Sequence, residues 1–145
     1  MAPALVACGS GDSGPVDFAE INRQSEIIFQ ADSSLAQSVR LDSAAWQPRF
    51  LGISLDDVIE VEGDYTLCFS NLGDQALALR YDLRFFDAET FLVDVFNPFN
   101  LPLLLAPAGS QCINTEFIIR ADTLRQAETL ALMRVTVQLD IATNP

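Results

Sequence analysis

The densest group of chemically capable side chains is acidic: Asp56, Asp57, Glu60, Glu62 and Asp64 lie within one short stretch. Hard cations such as calcium need several oxygens converging from a loop. On a strand, Glu60, Glu62 and Asp64 stand too far apart to share one ion, so the expectation is a solvated acidic strand, with no metal site assigned. Asp56 and Asp57 have the types of an acid and base pair, but no nucleophile, phosphate-cradling glycine loop or second signature accompanies them. All 8 basic residues are arginine and there is no histidine. That removes histidine triads, histidine-ligated metals and an imidazole pH switch together. Arg80, Asp82 and Arg84 share one face of an alternating segment and read as cross-strand charge partners, with an arginine pair for an anionic ligand as the alternative. The expectation is a protein that is not an enzyme and carries no cofactor.

Three cysteines remain. Leu5-Val6-Ala7-Cys8 resembles the lipobox of bacterial lipoproteins, and Gly9-Ser10-Gly11-Asp12-Ser13-Gly14-Pro15 follows as a tether. The resemblance implies that Cys8 bears the lipid and that the numbered start lies inside a longer signal sequence; a free cysteine in a frayed terminus is the alternative. No stretch reaches about 18 uninterrupted apolar residues, so the expected membrane attachment is the lipid anchor alone. With Cys8 acylated, Cys68 and Cys112 become a candidate disulfide in an oxidising compartment. Both fall out of phase with the apolar positions of their segments, so a bridge between them joins neighbouring strands on the outer face of one sheet. Two reduced, unrelated thiols are the alternative.

The elements that position these residues follow from apolar period. The chain has 145 residues, 50% of them hydrophobic, which is one core and one domain. From Ile59 onward the period is two. Ile59, Val61, Tyr65, Leu67 and Phe69 alternate with polar residues, as do Leu77, Leu79, Tyr81, Leu83 and Phe85 after a turn at Asn71 to Asp74. Ile113, Thr115, Phe117 and Ile119 repeat the pattern, and Met133, Val135, Val137, Leu139 and Ile141 close it. Residues 39–41 and 50–53 read as two early strands separated by Trp46-Gln47-Pro48. Asp122 to Glu128 reads as a capped helical turn. Near the front, Asp17 as N-cap, Glu20 as its partner and Val16 against Ile21 as a staple predict a helix bearing Phe18, Ile21, Ser25 and Ile28 on one stripe. Ile27-Ile28-Phe29 equally suits a strand. The expected organisation is a lipobox-like start and tether over 1–15, a partly helical arm over 16–36 and a sandwich domain over 37–145. The fold class is all-β: an immunoglobulin-like antiparallel β-sandwich of about seven strands with a short N-terminal helix or arm.

Three segments carry a family resemblance: Tyr65-Thr66-Leu67-Cys68-Phe69-Ser70-Asn71, the run from Leu77 to Glu89, and Leu105-Ala106-Pro107-Ala108-Gly109-Ser110. A strand ending in Asn, a second strand ending in aromatic-Asp-x-x-Gly and a Leu-x-Pro-Gly turn recur in small bacterial lipoproteins. The chain resembles the YcfL-like family and the related FxLYD-type immunoglobulin-like modules over about residues 59–140. Glu89-Thr90 stands where the arrangement has its turn glycine, and Ala108 stands between Pro107 and Gly109. The resemblance implies an immunoglobulin-like domain held at a bacterial envelope membrane, and it carries no catalytic residue across.

The net charge of −12 lacks the basic patch that nucleic acid or anionic lipid demands, so no nucleic-acid partner is expected. The partner-binding candidates are the apolar residues Phe91, Val93, Val95, Phe96 and Phe99, with Leu101 and Leu103 beyond them; left exposed they form a partner surface, and burial in the core is the competing expectation. The expectation is a non-enzymatic lipoprotein of the bacterial periplasm, lipid-anchored at the outer membrane, that binds an envelope protein or itself as an interaction or structural module. The alternative is a self-assembling subunit whose arm around Ile27-Ile28-Phe29 complements a neighbouring copy.

Overall fold

A computed structural model of the chain describes residues 18–29, 35–99 and 102–140. Eight strands and two short helices follow in the order β1 (Gln24–Phe29), α1 (Leu35–Ser38), β2 (Val39–Ile53), β3 (Ile59–Asn71), β4 (Leu77–Asp87), β5 (Leu92–Phe96), β6 (Leu103–Leu105), β7 (Ser110–Ala121), α2 (Leu124–Glu128) and β8 (Leu130–Leu139). The small sheet runs β2-β3-β7. The large sheet runs β1-β8-β4-β5, with β6 pairing β4 beside β5. The chain passes between the sheets from β1 to β2, after β3, after β6 and through α2. The result is an all-β sandwich of two sheets, antiparallel except where β1 joins β8.

Period two places the core where the alternation puts it. Val61, Tyr65, Leu67 and Phe69 of the small sheet face Leu79, Tyr81, Leu83 and Phe85 of the large one, all buried, joined by Ile113, Phe117, Ile119, Met133, Val135 and Val137. Trp46, Phe85 and Phe117 form an aromatic cluster, with Phe85 and Phe117 ring centroids 4.5 Å apart and Trp46 5.3 Å from Phe85. Gly63 makes room for it: a Cβ there would sit 2.3 Å from the Gln47 carbonyl oxygen and 2.5 Å from the Phe117 ring.

Two expectations are corrected. The described part of the predicted N-terminal helix is not helical: residues 18–23 have no regular structure and Gln24–Phe29 is a strand, paired in parallel with β8. Its apolar side chains Ile27 and Phe29 pack against the core, a gain that outweighs the local capping signals. The proposed N-cap, Asp17, lies outside the described residues, as do Cys8, the tether, Val16, Leu101 and Ile141. The two early strands are one strand, β2, whose register shifts at Leu41/Ser43 and Pro48/Phe50 break the alternation. Among the described residues the strands number eight, in line with the expected sandwich of about seven; β1 and the three-residue β6 between prolines are the additions.

An arginine fastens the N-terminal segment. The Arg23 guanidinium donates to the Leu130 carbonyl at 2.8 Å and the Ala19 carbonyl at 3.1 Å, and lies 5.9 Å from the ring centres of both Phe18 and Trp46. The Trp46 indole donates to the Gln24 carbonyl at 2.9 Å.

Candidate functional site

Cys68 and Cys112 are direct partners in the β3–β7 ladder and form a disulfide, S–S 2.05 Å. Both sit among the outward residues of the small sheet, as the alternation placed them. Nearby, Ser70 donates to Asp42 and lies 2.9 Å from the Ser110 hydroxyl, while Arg40 contacts Asp42 at 2.6 Å. The Ser70 hydrogen bond and then Arg40 hold the Asp42 carboxyl below the usual carboxylate range.

Two members of the acidic stretch pair with arginines. Asp64 pairs with Arg49 at 2.6 Å and Glu60 with Arg120 at 3.5 Å, while Asp56 and Asp57 are exposed in the turn before β3. Among the described residues no group of three or more potential ligands is gathered to hold a metal ion. On the outer face of the large sheet, Arg84 pairs with Asp82 along its own strand at 3.1 Å and Arg80 with Asp140 at 3.2 Å. A depression of about 130 Å³ beside them includes Arg80, Asp82, Asn97 and Thr136 in its lining. Both charged groups facing it are therefore already neutralised by neighbours.

The residues that carry the family resemblance fix turns. Asn71 is buried; its amide donates to the carbonyls of Gln75 at 2.7 Å and Ala106 at 3.1 Å, and its oxygen accepts from the Gly73 N–H at 3.0 Å. It thereby ties the β3–β4 turn to the β6–β7 turn. The Asp87 carboxylate accepts from the N–H groups of Glu89 and Phe91, each at 2.9 Å, and closes the β4–β5 turn. Thr90 and Ala108, which stand at the two departures from the family pattern, have φ of 72° and 56°.

The apolar candidates divide. Val93 and Phe96 pack against the core, Phe96 with its ring centre 6.2 Å from that of Tyr65, and Val95 is half-buried opposite Arg84. Phe91 and Phe99 are 63% and 99% exposed, but they flank opposite ends of β5 and do not form one patch. Phe99 belongs instead to a different surface. Along the flank where β5 and β6 end the large sheet and β7 ends the small one, three depressions run beside β7. The first, about 480 Å³, lies against Ser110 and Gln111; the second, about 390 Å³, against Gln111 to Ile113; the third, about 160 Å³, against Thr115 and Glu116. Leu104, 66% exposed, lines the first two, and Phe96, Pro98 and Phe99 line the third. Leu104, Thr115 and Glu116 were not among the sequence candidates, because a flank exists only once the strand order is known.

No family model and no curated protein matches the chain. Among solved structures, the crystal structure of Campylobacter jejuni cj0090 is similar at 14% identity and a TM-score of 0.38, over 80% of this chain and 97% of that one. The X-ray structure of Northeast Structural Genomics Consortium target SoR45 is similar at 13% identity and a TM-score of 0.42, over 76% of this chain and 92% of that one.

Proposed function

We propose that the protein is a non-enzymatic envelope lipoprotein, held on the periplasmic side of the outer membrane through a lipid on Cys8, that acts as a protein-interaction module. One observation carries the interaction reading: Phe99 and Leu104 stand in solvent on one flank while the core behind them is already filled. Two large apolar side chains left in solvent on one flank of an acidic chain favour a protein partner. The disulfide between Cys68 and Cys112 supports an oxidising compartment, since such bonds persist mainly outside the cytosol. The test uses the full-length protein recovered from the envelope fraction. Intact mass shows a diacylglycerol adduct at Cys8, and a discrete partner co-purifies with the wild-type chain and is lost with Phe99→Ser/Leu104→Ser at unchanged melting temperature. Absence of both adduct and partner contradicts the reading.

A second reading, the self-assembling subunit, rests on β1. It is a separate six-residue strand at the outer end of the large sheet, added in parallel to β8, and is the element a neighbouring copy could supply. Sedimentation separates the two: a monomer up to high concentration favours the module, and concentration-dependent assembly favours the subunit.

A further inference from the structure

The described N-terminal segment enters the fold at one end of the sandwich. The Ala19 N–H donates to the Glu128 carbonyl of α2 at 2.9 Å and Arg23 donates to Leu130, so Phe18 stands beside α2. The β2–β3 turn lies at that same end, because Ile53, Ile59 and Ala121 close the small sheet just before α2. So does the β4–β5 turn: Asp87 pairs with Leu130, and Glu89 reaches Arg125 of α2 at 3.6 Å. The Arg120 N–H, donating to Asp94 of β5 at 2.8 Å, joins the two sheets there. The β3–β4 and β6–β7 turns fall at the opposite end, tied together by Asn71.

The loops of the α2 end carry large apolar tips. Leu55 in the β2–β3 turn is fully exposed with Ile53 half exposed beside it, and Phe91 and Leu92 stand out at the β4–β5 turn. Turn tips are ordinarily polar or glycine, and the core gains nothing from these positions. The charge of this end is negative: Arg120 and Arg125 are matched by Glu60 and Glu89, and Arg23 is turned to backbone carbonyls. That leaves Asp56, Asp57 and Asp122, all exposed, around the apolar tips.

We infer that the α2 end is the face this protein lays on a lipid surface, with Leu55 and Phe91 entering the boundary between headgroups and acyl chains. The inference rests on the lipid-anchor part of the proposed function and adds a second contact to it, leaving the Phe99 and Leu104 flank for the protein partner. Reach selects this end. Cys8 stands ten positions before Phe18, a length that spans at most about 36 Å fully extended. β3 alone, at 13 residues, is roughly 40 Å long. A lipid on Cys8 therefore keeps the α2 end near the bilayer and does not let the far turns swing round to it. The anchor also makes the contact intramolecular, at an effective concentration of about a millimolar, so apolar tips too weak to bind alone suffice. Charge selects the surface. Asp56, Asp57 and Asp122 suit the ammonium groups of a zwitterionic phosphatidylethanolamine bilayer and are repelled by anionic lipid. They equally oppose a second copy presenting the same acids.

The test takes the full chain from the envelope fraction, reads its adduct at Cys8 by intact mass, and reconstitutes it in vesicles of phosphatidylethanolamine and phosphatidylcholine. The phosphatidylcholine is brominated on its acyl chains, and bromine quenches only tryptophan that enters the bilayer. Trp46 is buried and common to every variant, so the wild-type signal is subtracted. Leu55→Trp and Phe91→Trp are expected to lose about half or more of their added fluorescence, and Leu72→Trp, in the β3–β4 turn at the far end, almost none. Replacing about a third of the lipid with phosphatidylglycerol is expected to reduce the quenching about twofold or more. Both tips are exposed, so the melting temperature is unchanged; where Leu55→Trp does not fold, Phe91→Trp decides. Quenching of none of the three, quenching of Leu72→Trp as strong as that of the tips, or quenching that does not fall with phosphatidylglycerol overturns the inference. With the adduct present, each of those results leaves the anchored-module reading standing. A chain without the adduct overturns both.

Discussion

Tyr65 and Tyr81 meet hydroxyl to hydroxyl, 3.0 Å apart, one from each sheet, in the middle of the sandwich. Removing either hydroxyl leaves the other buried without that partner, whereas removing both leaves an apolar contact. Tyr65→Phe and Tyr81→Phe are each expected to lower the unfolding free energy by about 1–3 kcal/mol. The double variant loses less than the sum of the two, in a double-mutant cycle read by urea denaturation.

The same pair sets an alkaline limit. Burial pushes the Tyr81 phenol far above its ordinary value and raises Tyr65 as well. Above about pH 10 the unfolded chain releases these protons and the folded chain keeps them, so the unfolded state binds fewer and stability falls as pH rises. The melting temperature is expected to be insensitive to this pair below about pH 9 and to drop above about pH 10. The double phenylalanine variant drops less over the same range.

Those two tyrosines were legible as core from alternation alone, as were the inward faces of β3, β4, β7 and β8. The rest depended on terms that no local window contains. The segment holding β1 reads locally as a capped helix or, at Ile27-Ile28-Phe29, equally as a strand, and the row of partners offered by β8 decides for the strand. β2 was divided because its bulges shift the phase at Leu41 and Pro48. Phe96 and Phe99 look alike in sequence, yet one packs on Tyr65 and the other stands in water. Cys68 and Cys112 were placed on an outer face by phase, which the β3–β7 register bears out.

Among the described residues three turns run through left-handed backbone without glycine, at Asp57 (φ 63°), Thr90 (φ 72°) and Ala108 (φ 56°), and of these Thr90 and Ala108 lack the short polar side chain that tolerates it. A side chain with Cβ in that region costs roughly 1–2 kcal/mol, part of which glycine's greater unfolded freedom gives back. Thr90→Gly and Ala108→Gly are each expected to stabilise by about 0.5–1 kcal/mol, measured as a higher urea midpoint at unchanged slope. An unchanged or lower midpoint contradicts the turn argument.

Gly63 predicts the opposite sign. A methyl group there meets the Gln47 carbonyl oxygen at 2.3 Å, a backbone atom that cannot swing aside, and the Phe117 ring behind it. Gly63→Ala is expected to cost about 1–3 kcal/mol, the usual range for overpacking a filled core. Gly73, where an added Cβ finds its nearest neighbour at 3.6 Å, is the control without a clash. Equal thermal stability of the two alanine variants contradicts the packing described around Trp46, Phe85 and Phe117.

Cys68 and Cys112 are separated by 44 residues in sequence and are neighbours in the folded ladder. Their bond constrains chiefly the unfolded chain, and closing a loop of this size is worth about 4 kcal/mol on the chain-entropy account. Cys68→Ser/Cys112→Ser, or reduction of the wild type, is expected to lower the urea-extrapolated stability by about that amount while the far-ultraviolet spectrum of the folded state is retained.

The account rests on the β3–β7 register, and amide hydrogen exchange across residues 110–121 of the full chain reads that register directly. The prediction is an alternating record: Ile113, Thr115 and Phe117 slow because their N–H groups bond to β3, Asn114 and Glu116 fast because theirs face the flank, and Arg120 slowed by Asp94. The reverse alternation, with Asn114 and Glu116 slow and Ile113 and Thr115 fast, or uniformly fast exchange from Ser110 to Ala121, would contradict that register.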